Sequence, residues 1–425
     1  MAVRKPRGAI LFGLIVLGGG ACGVLLGRAR VEEGRCPLVP TKFDRSSHFL
    51  GLTYRSLSPQ RGKPHLARDL PTSFDRPCYY VMKSADKQVL LVMNLSTKPR
   101  LCVDTDGDGV LSEEQCYAAV DIRKWMATSN SWRFGPILLA SEEGASETGG
   151  SFYVECYRGD VLGPLALFPA FFRTGKVRLA GRTYPVAVVD GDYDGRFSSF
   201  LSLPLDSGRR PVVDGFAIDL NRNGKFVNLE MPRQGHSEIM PLSHLVRVAD
   251  TYYTIDVSSH GTSLTLSKTE PPLGTLVVEP GDIAVELKLW SEAASQGLPP
   301  GRQWQLPADR YAGVYAGLEK KDASGNVWTL SGGLGSAAGD LGALNSFVIR
   351  PGETTSIKLG PPFVVKTDVQ RHGAGLVTIG LVLTGCAGEQ YRPDFQRNHK
   401  RAPQRTFKIV DEKGNMLVAD KFQYG

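Results

Sequence analysis

The chain lacks the residue patterns that most recognisable catalytic sites need. None of its seven cysteines stands in a Cys-x-x-Cys pair, so a zinc ribbon or a thioredoxin-type redox site has no support. Its seven histidines are scattered and no His-Glu-x-x-His occurs. His236 and His244 have Pro241 between them, which breaks the helix a metal-binding pair would require. No Gly-x-Ser-x-Gly elbow is present. Gly332, Gly333, Gly335 and Gly339 invite a phosphate-loop reading, but Gly339 and Gly342 spoil the helix whose N-terminus would face the phosphate. Past the first thirty residues no apolar run approaches a membrane span, which excludes a multi-pass membrane protein. Charged residues are 22% and hydrophobic residues 42% of the chain, a balance that excludes bulk disorder.

Glycine and proline are plentiful, at 48 and 27 in 425 residues. That composition predicts many turns between short strands rather than long helices. The length suits two or three domains with proper cores.

Residues 1–23 predict a targeting segment. Arg4, Lys5 and Arg7 form a basic start, Ile10 to Leu17 is apolar apart from one glycine, and Gly18-Gly19-Gly20 ends any helix. Ala21 and Gly23 fit the small-residue positions of a cut before Val24. An uncleaved anchor over Gly8–Gly27 and a lipoprotein site at Cys22 are the alternatives, although Gly19 replaces the leucine such a site usually carries. All three place the rest of the chain outside the cytoplasm, as a secreted, periplasmic or envelope-anchored protein, with N-terminal membrane attachment in two of them. Cleavage would take three positive charges from the formal net charge of +7 and leave +4. The excess then sits in Arg392 to Lys408, where Arg392, Arg397, Lys400, Arg401, Arg405 and Lys408 stand against Asp394. A solvated loop explains that stretch, and an anionic envelope polymer or membrane face is the sharper alternative. Nucleic acid is not expected as a partner.

Beyond Cys22 the cysteines are Cys36, Cys78, Cys102, Cys116, Cys156 and Cys386. In an oxidising compartment six thiols allow three disulfides, concentrated in the N-terminal half. Cys102 and Cys116 would close a short neck, and pairing of either with Cys36, Cys78 or Cys156 is the alternative.

The fold expected is mainly β. Residues 24–75 read as a spacer, 76–270 as a β-rich domain with one short helix, and 274–425 as an immunoglobulin-like β-sandwich. The helix is expected over Glu113–Met126, with Ser112 as N-cap and Glu113 and Glu114 in its first turn. Ile283–Trp290 alternates apolar and polar residues, the pattern of a strand with one wet face. Asp411-Glu-Lys-Gly-Asn415 reads as a hairpin turn.

One pattern carries chemistry, and it occurs three times. Asp104, Asp106 and Asp108 precede Gly109; Asp190, Asp192 and Asp194 precede Gly195; Asp219, Asn221 and Asn223 precede Gly224. Each group follows an apolar residue, and the second and third align without a gap at an offset of 29 residues. Alternate oxygen side chains on a curled loop converge, glycine permits the sharp turn, and the next residue, Val110, Arg196 or Lys225, offers a backbone carbonyl. Asp, Asn and Gly are also ordinary turn residues that hold loops without an ion. Against that, three carboxylates within about 5 Å repel by roughly 1 kcal/mol per pair even at high dielectric.

These segments resemble EF-hand-type loops, especially the dockerin and thrombospondin type-3 variants. The resemblance spans about twelve residues each time and implies Ca²⁺ as the bound ion. It also implies a bidentate carboxylate at position 12. That position is Glu230 in the third loop, Gln115 in the first, where Glu113 and Glu114 adjoin, and Leu201 in the second. Leu201 cannot bind, so Asp206 or Asp214 would have to close that shell. The first loop has the most acid nearby and the third the fullest pattern. The expected function is that of an extracytoplasmic calcium-binding structural or binding protein without catalytic activity, its calcium rigidifying strand connections. A secreted polymer-acting hydrolase with structural calcium is the alternative.

Overall fold

The computed structural model describes residues 33–42, 55–74, 76–84, 87–94, 96, 99–123, 130–139, 150–157, 163–203, 212–224, 226, 238–279, 283–333, 340–371, 377–392, 395–403 and 406–421. The targeting segment, Cys22, Asp206, Lys225 and Glu230 lie outside them. Almost every described element is a strand, and the one helical element is a 3₁₀ turn at Gly342–Asn345. No helix among the described residues is long and apolar enough to cross a membrane.

The N-terminal half holds four sheets in two pairs. An antiparallel meander of Pro77–Ser84, Lys87–Asn94, Arg100–Val103 and Cys116–Ala118 shares a core with a five-stranded sheet. That sheet runs Arg55–Leu57, Leu165–Pro169, Ser151–Tyr157, Asn130–Leu138, Val120–Arg123. Tyr80, Met82, Leu91 and Val103 of the meander meet Phe134, Phe152, Val154 and Leu167 of its partner in that core. In the second pair the sheet Ile239–Pro241, Gly215–Ile218, Arg182–Val189, Phe171–Leu179, Val39–Lys42 shares a core with Arg35–Pro37, Ser263–Thr269, Thr251–Val257, Leu245–Val248. Val186, Val188, Phe216 and Ile218 pack there with Val246, Ile255, Leu264 and Leu266. The alternation of β-branched and aromatic residues along these strands buries one face of each sheet against its neighbour. Three strands, Arg35–Pro37, Val39–Lys42 and Arg55–Leu57, come from the stretch read as a spacer.

The C-terminal half is built on the strand Asp309–Lys321, paired with Ala284–Ser291, Val327–Gly333 and Phe347–Ile349. Val285, Leu287 and Leu289 are fully buried, as the alternation over 283–290 predicts, but the face expected to be wet is not: Lys288 is buried too, and Ala284, Glu286 and Trp290 are half-buried. Val285, Leu287 and Leu289 share a core with Leu276 and Ile357 of a three-stranded sheet in which Leu273–Glu279 and Thr354–Lys358 pair in parallel.

Two expectations are corrected. No helix follows Ser112: the chain runs as strands Cys116–Ala118 and Val120–Arg123. The cause is a disulfide, Cys102–Cys116, which sets the two residues directly opposite each other in an antiparallel pair with Cα atoms 4.2 Å apart. A residue held in a ladder cannot also turn into a helix, and the acidic first turn gives way. The disulfide count is also lower than expected. Cys36, Cys78, Cys156 and Cys386 are free. The first three are small apolar members of the cores. Burial pushes the Cys36 and Cys156 thiols up to about 11, away from the thiolate form that disulfide chemistry needs.

Candidate metal centre

Each of the three acidic loops leaves the C-terminal end of a strand: Arg100–Val103, Arg182–Val189 or Gly215–Ile218. Each is wound the same way. The first-position aspartate accepts hydrogen bonds from two backbone N–H groups further along its loop. One oxygen of Asp104 takes the N–H of Gly107 at 2.8 Å and the other that of Gly109 at 3.1 Å. Asp190 takes Tyr193 at 2.6 Å and Gly195 at 2.8 Å. Asp219 takes Asn223 at 3.1 Å and Gly224 at 2.8 Å. The third-position side chains, Asp106, Asp192 and Asn221, accept from the N–H two residues on. So do Asp108 and Asp194, which reach Val110 and Arg196 at 2.7 Å. Positions four and six are left-handed throughout: Gly107 and Gly109, Tyr193 and Gly195, Arg222 and Gly224 all have φ between 59° and 84°. Glycine adopts that conformation freely, whereas tyrosine and arginine are strained in it. The alternating oxygen-bearing residues thus curl the chain by bonding their own backbone.

The first two loops gather their carboxylates. Asp104, Asp106 and Asp108 each offer an oxygen within 4.8 Å of the others, and so do Asp190, Asp192 and Asp194. The third loop contributes one carboxylate, Asp219, beside the amides of Asn221 and Asn223.

A second acid from outside the alternating positions clasps each loop. In the first loop Glu114 accepts from the Thr105 N–H at 2.7 Å and from its hydroxyl at 2.8 Å. Gln115, the residue at position 12, is exposed. In the second loop Asp214 accepts from Gly191 N–H at 3.1 Å and Ser199 N–H at 2.9 Å, while Leu201 is buried in the core. In the third, Glu238 accepts from Asn221 N–H at 3.0 Å. Asp214 is one of the two acids outside the motif expected to close the second shell, whereas Glu238 has no sequence signal and is brought in by the sheet from the neighbouring strand. Replacing Glu114 by alanine is expected to weaken any divalent-cation binding at the first loop by about 10–100-fold, the range for residues that hold a ligand loop in place. Gln115→Ala should leave it unchanged. Calorimetric titration of the two variants decides between them.

The loops differ most in burial. The first lies at the edge of its sheet, with Asp106 and Asp108 exposed. It is pinned from behind by the segment 66–69. Arg68 N–H reaches Gly109 O at 2.9 Å, Leu111 N–H reaches Asp69 O at 2.8 Å, and a Cβ on Gly109 would stand 2.1 Å from Leu66 O. The second loop is enclosed, with Asp190, Asp192 and Asp214 all buried. Gly191 approaches Val213 so closely that a Cβ there would lie 2.0 Å from its carbonyl oxygen. The same loop touches both N-terminal cores. Tyr193 is buried in the first, its ring 5.2 Å from that of Phe152, and Phe197 is buried in the second. Asp190 also takes the Gly150 N–H, 2.7 Å away and 40 residues distant in sequence.

Charge is poorly compensated in that enclosure. Burial first, then Asp192 and Asp194, hold the Asp190 carboxyl well above the usual carboxylate range, against the pull of N–H groups from Gly195 and Gly150. Asp214 is raised by burial and then by Asp190 and Asp192. Asp194 is pushed up to about 6, again by burial and then by Asp192. Arg196 acts on Asp194 and Arg55 on Asp190 and Asp192; Arg55 lies 5.9 Å over the Tyr193 ring, with its Nη1 buried and without a hydrogen-bond partner. Two guanidiniums face four acids. The donor set is hard oxygen alone, which suits calcium or magnesium and not the softer transition metals. No family model, no curated protein and no solved structure matches this chain.

Proposed function

We propose that this protein is an extracytoplasmic, calcium-stapled β-protein that acts as a structural or binding module. The observation that carries the reading is the second loop, where acids collected from two segments are buried between two cores with too little positive charge among them. A divalent cation held by Asp190, Asp192 and Asp194, with Asp214 closing the shell, removes that imbalance and fastens one core to the other. Asp104, Asp106 and Asp108 would hold a second ion, with the carbonyl of Val110, beside the disulfide neck. Asp219, Asn221 and Asn223 form the weaker third position, to which Lys225 and Glu230 would add a carbonyl and a carboxylate. The basic, apolar N-terminus supports the extracytoplasmic location. For the C-terminal half, residues 274–425, the reading is an immunoglobulin-like sandwich.

Titration calorimetry of the chelator-stripped full chain tests this reading. We expect binding at two or more positions, with Kd in the range of about 10⁻⁴–10⁻³ M typical of extracellular calcium modules. Calcium at ten times Kd adds about 1.4 kcal/mol per site, so saturation should raise the melting temperature and chelator should lower it. Absence of binding heat together with a melting temperature indifferent to chelator would overturn the proposal.

A further inference from the structure

The Cys102–Cys116 disulfide sits at the mouth of the first acidic loop. Cys102 comes just before Asp104, and Cys116 just after Glu114. The bond therefore joins the strands that enter and leave the loop. Up to Ser112 the loop has a second anchor. The Asp69 carbonyl accepts the Leu111 N–H at 2.8 Å, and the Asp69 carboxylate accepts the Ser112 hydroxyl at 2.8 Å.

Beyond Ser112 the hold is slight. Cys116–Ala118 lies at the edge of its sheet, beside Arg100–Val103, and Val120–Arg123 lies at the edge of another, beside Asn130–Leu138. No residue from Glu113 to Val120 is buried, and Val120 is 58% exposed. The run from Ser112 through Glu113, Glu114, Ala118 and Ala119 prefers a helix to a strand. One covalent bond thus keeps a segment on two sheet edges against its local preference. The same segment carries Glu114, whose bonds to the Thr105 N–H and hydroxyl, at 2.7 and 2.8 Å, span the loop.

We propose that the Cys102–Cys116 disulfide is a redox latch on the first loop. Closed, it holds Glu114 on Thr105 and keeps the loop shaped for a cation; opened, it releases residues 113–123 from both sheet edges. The cation half of this inference rests on the reading of the acidic loops given above. Ser112 is the hinge, because Asp69 keeps its grip in both states. A dithiol reductant opens the latch. Cys102 is fully buried and Cys116 half-buried, so the incoming thiolate attacks the Cys116 sulfur. The S–S electron pair leaves on the Cys102 sulfur, which takes up a proton. The second thiolate of the dithiol then attacks its own sulfur in the mixed disulfide, freeing Cys116 as a thiol and leaving the dithiol oxidised. Linkage makes the coupling reciprocal: the factor by which the closed bond tightens cation binding is the factor by which the cation stabilises the bond.

Arg100 and Arg123 bracket both cysteines in a single tryptic peptide, 101–123, which holds no other cysteine. The full chain is equilibrated in dithiothreitol buffers of graded redox ratio, in saturating calcium or in chelator, and alkylated. The mass of that peptide then reads the oxidised fraction. Calcium should raise the reduced-to-oxidised dithiothreitol ratio at the midpoint by about tenfold, or about 30 mV, inside the usual span of coupling between sites. Replacing Asp106 and Asp108 together by asparagine should erase that shift. Amide hydrogen exchange in chelator tests the latch with no ion present. Residues 113–123 should exchange at least about tenfold faster in the reduced protein and in Cys116→Ser, while Thr251–Val257 stays unchanged. Exchange that is the same in both redox states overturns the proposal. So does a midpoint indifferent to calcium in a protein whose oxidised form binds it, or a shift that survives the double substitution. Absence of calcium binding to the oxidised protein overturns the cation reading itself and the cation half here, and exchange alone then decides the latch.

Discussion

Asp190→Ala is expected to lower the unfolding free energy by several kcal/mol and to remove calcium binding at the second loop. Its two oxygens accept from three backbone N–H groups, those of Gly150, Tyr193 and Gly195. Leaving a buried donor unsatisfied costs about 1–3 kcal/mol each, and all three donors lie in buried residues. Relief of repulsion from Asp192 and Asp194 offsets part of the loss in metal-free protein and none of it when calcium is bound. Asp192→Asn is the contrasting substitution. It keeps an oxygen for the Asp194 N–H and a polar group for Ser199, whose hydroxyl lies 2.7 Å from Asp192, while deleting one negative charge. In chelator it should be more stable than wild type, and in saturating calcium less so. Urea melts of the three proteins with and without calcium measure both signs. An Asp192→Asn variant destabilised equally in the two conditions would mean that the cluster is not a cation site.

Tyr193→Ala is expected to cost about 3–5 kcal/mol, the range for deleting a large buried ring. Tyr193 is fully buried and carries the second loop into the first core. Its left-handed backbone, φ 63°, gives a sharper test through glycine. In an ordinary strand or helix glycine is less stable than alanine by roughly 0.5–1 kcal/mol. Here the order should reverse, because alanine retains a left-handed penalty of about 1–2 kcal/mol that glycine escapes. Chemical denaturation of Tyr193→Ala and Tyr193→Gly measures the difference, and a less stable glycine variant would show that the loop relaxes out of its curled form.

The architecture was legible where one residue type serves one purpose. Alternation over 283–290 gave a strand with Val285, Leu287 and Leu289 inside, and Asp411 to Asn415 gave a turn. The oxygen pattern likewise located three loops wound alike, because the backbone bonding that curls them is local. What long-range pairing decides was harder to read. Ser112-Glu113-Glu114 has the composition of a helix start, yet the bond between Cys102 and Cys116 overrides it. Glu114 then turns back onto Thr105 in place of capping anything. Glu238 could not be found by spacing at all, since only the pairing of Gly215–Ile218 with Ile239–Pro241 brings it to Asn221. Burial was equally hidden: the second loop, with leucine at its twelfth position, has the weakest motif and the most enclosed set of acids.

The strand Gly215–Ile218 has Asp214 at one end and Asp219 at the other, and those two residues serve different loops. Five backbone steps separate them, about 17 Å in extended chain, and all four residues between are buried. The strand is therefore a ruler. Luminescent lanthanides taken up at the two bends would be held at a spacing set by β-strand pitch, short enough for energy to pass from one to the other.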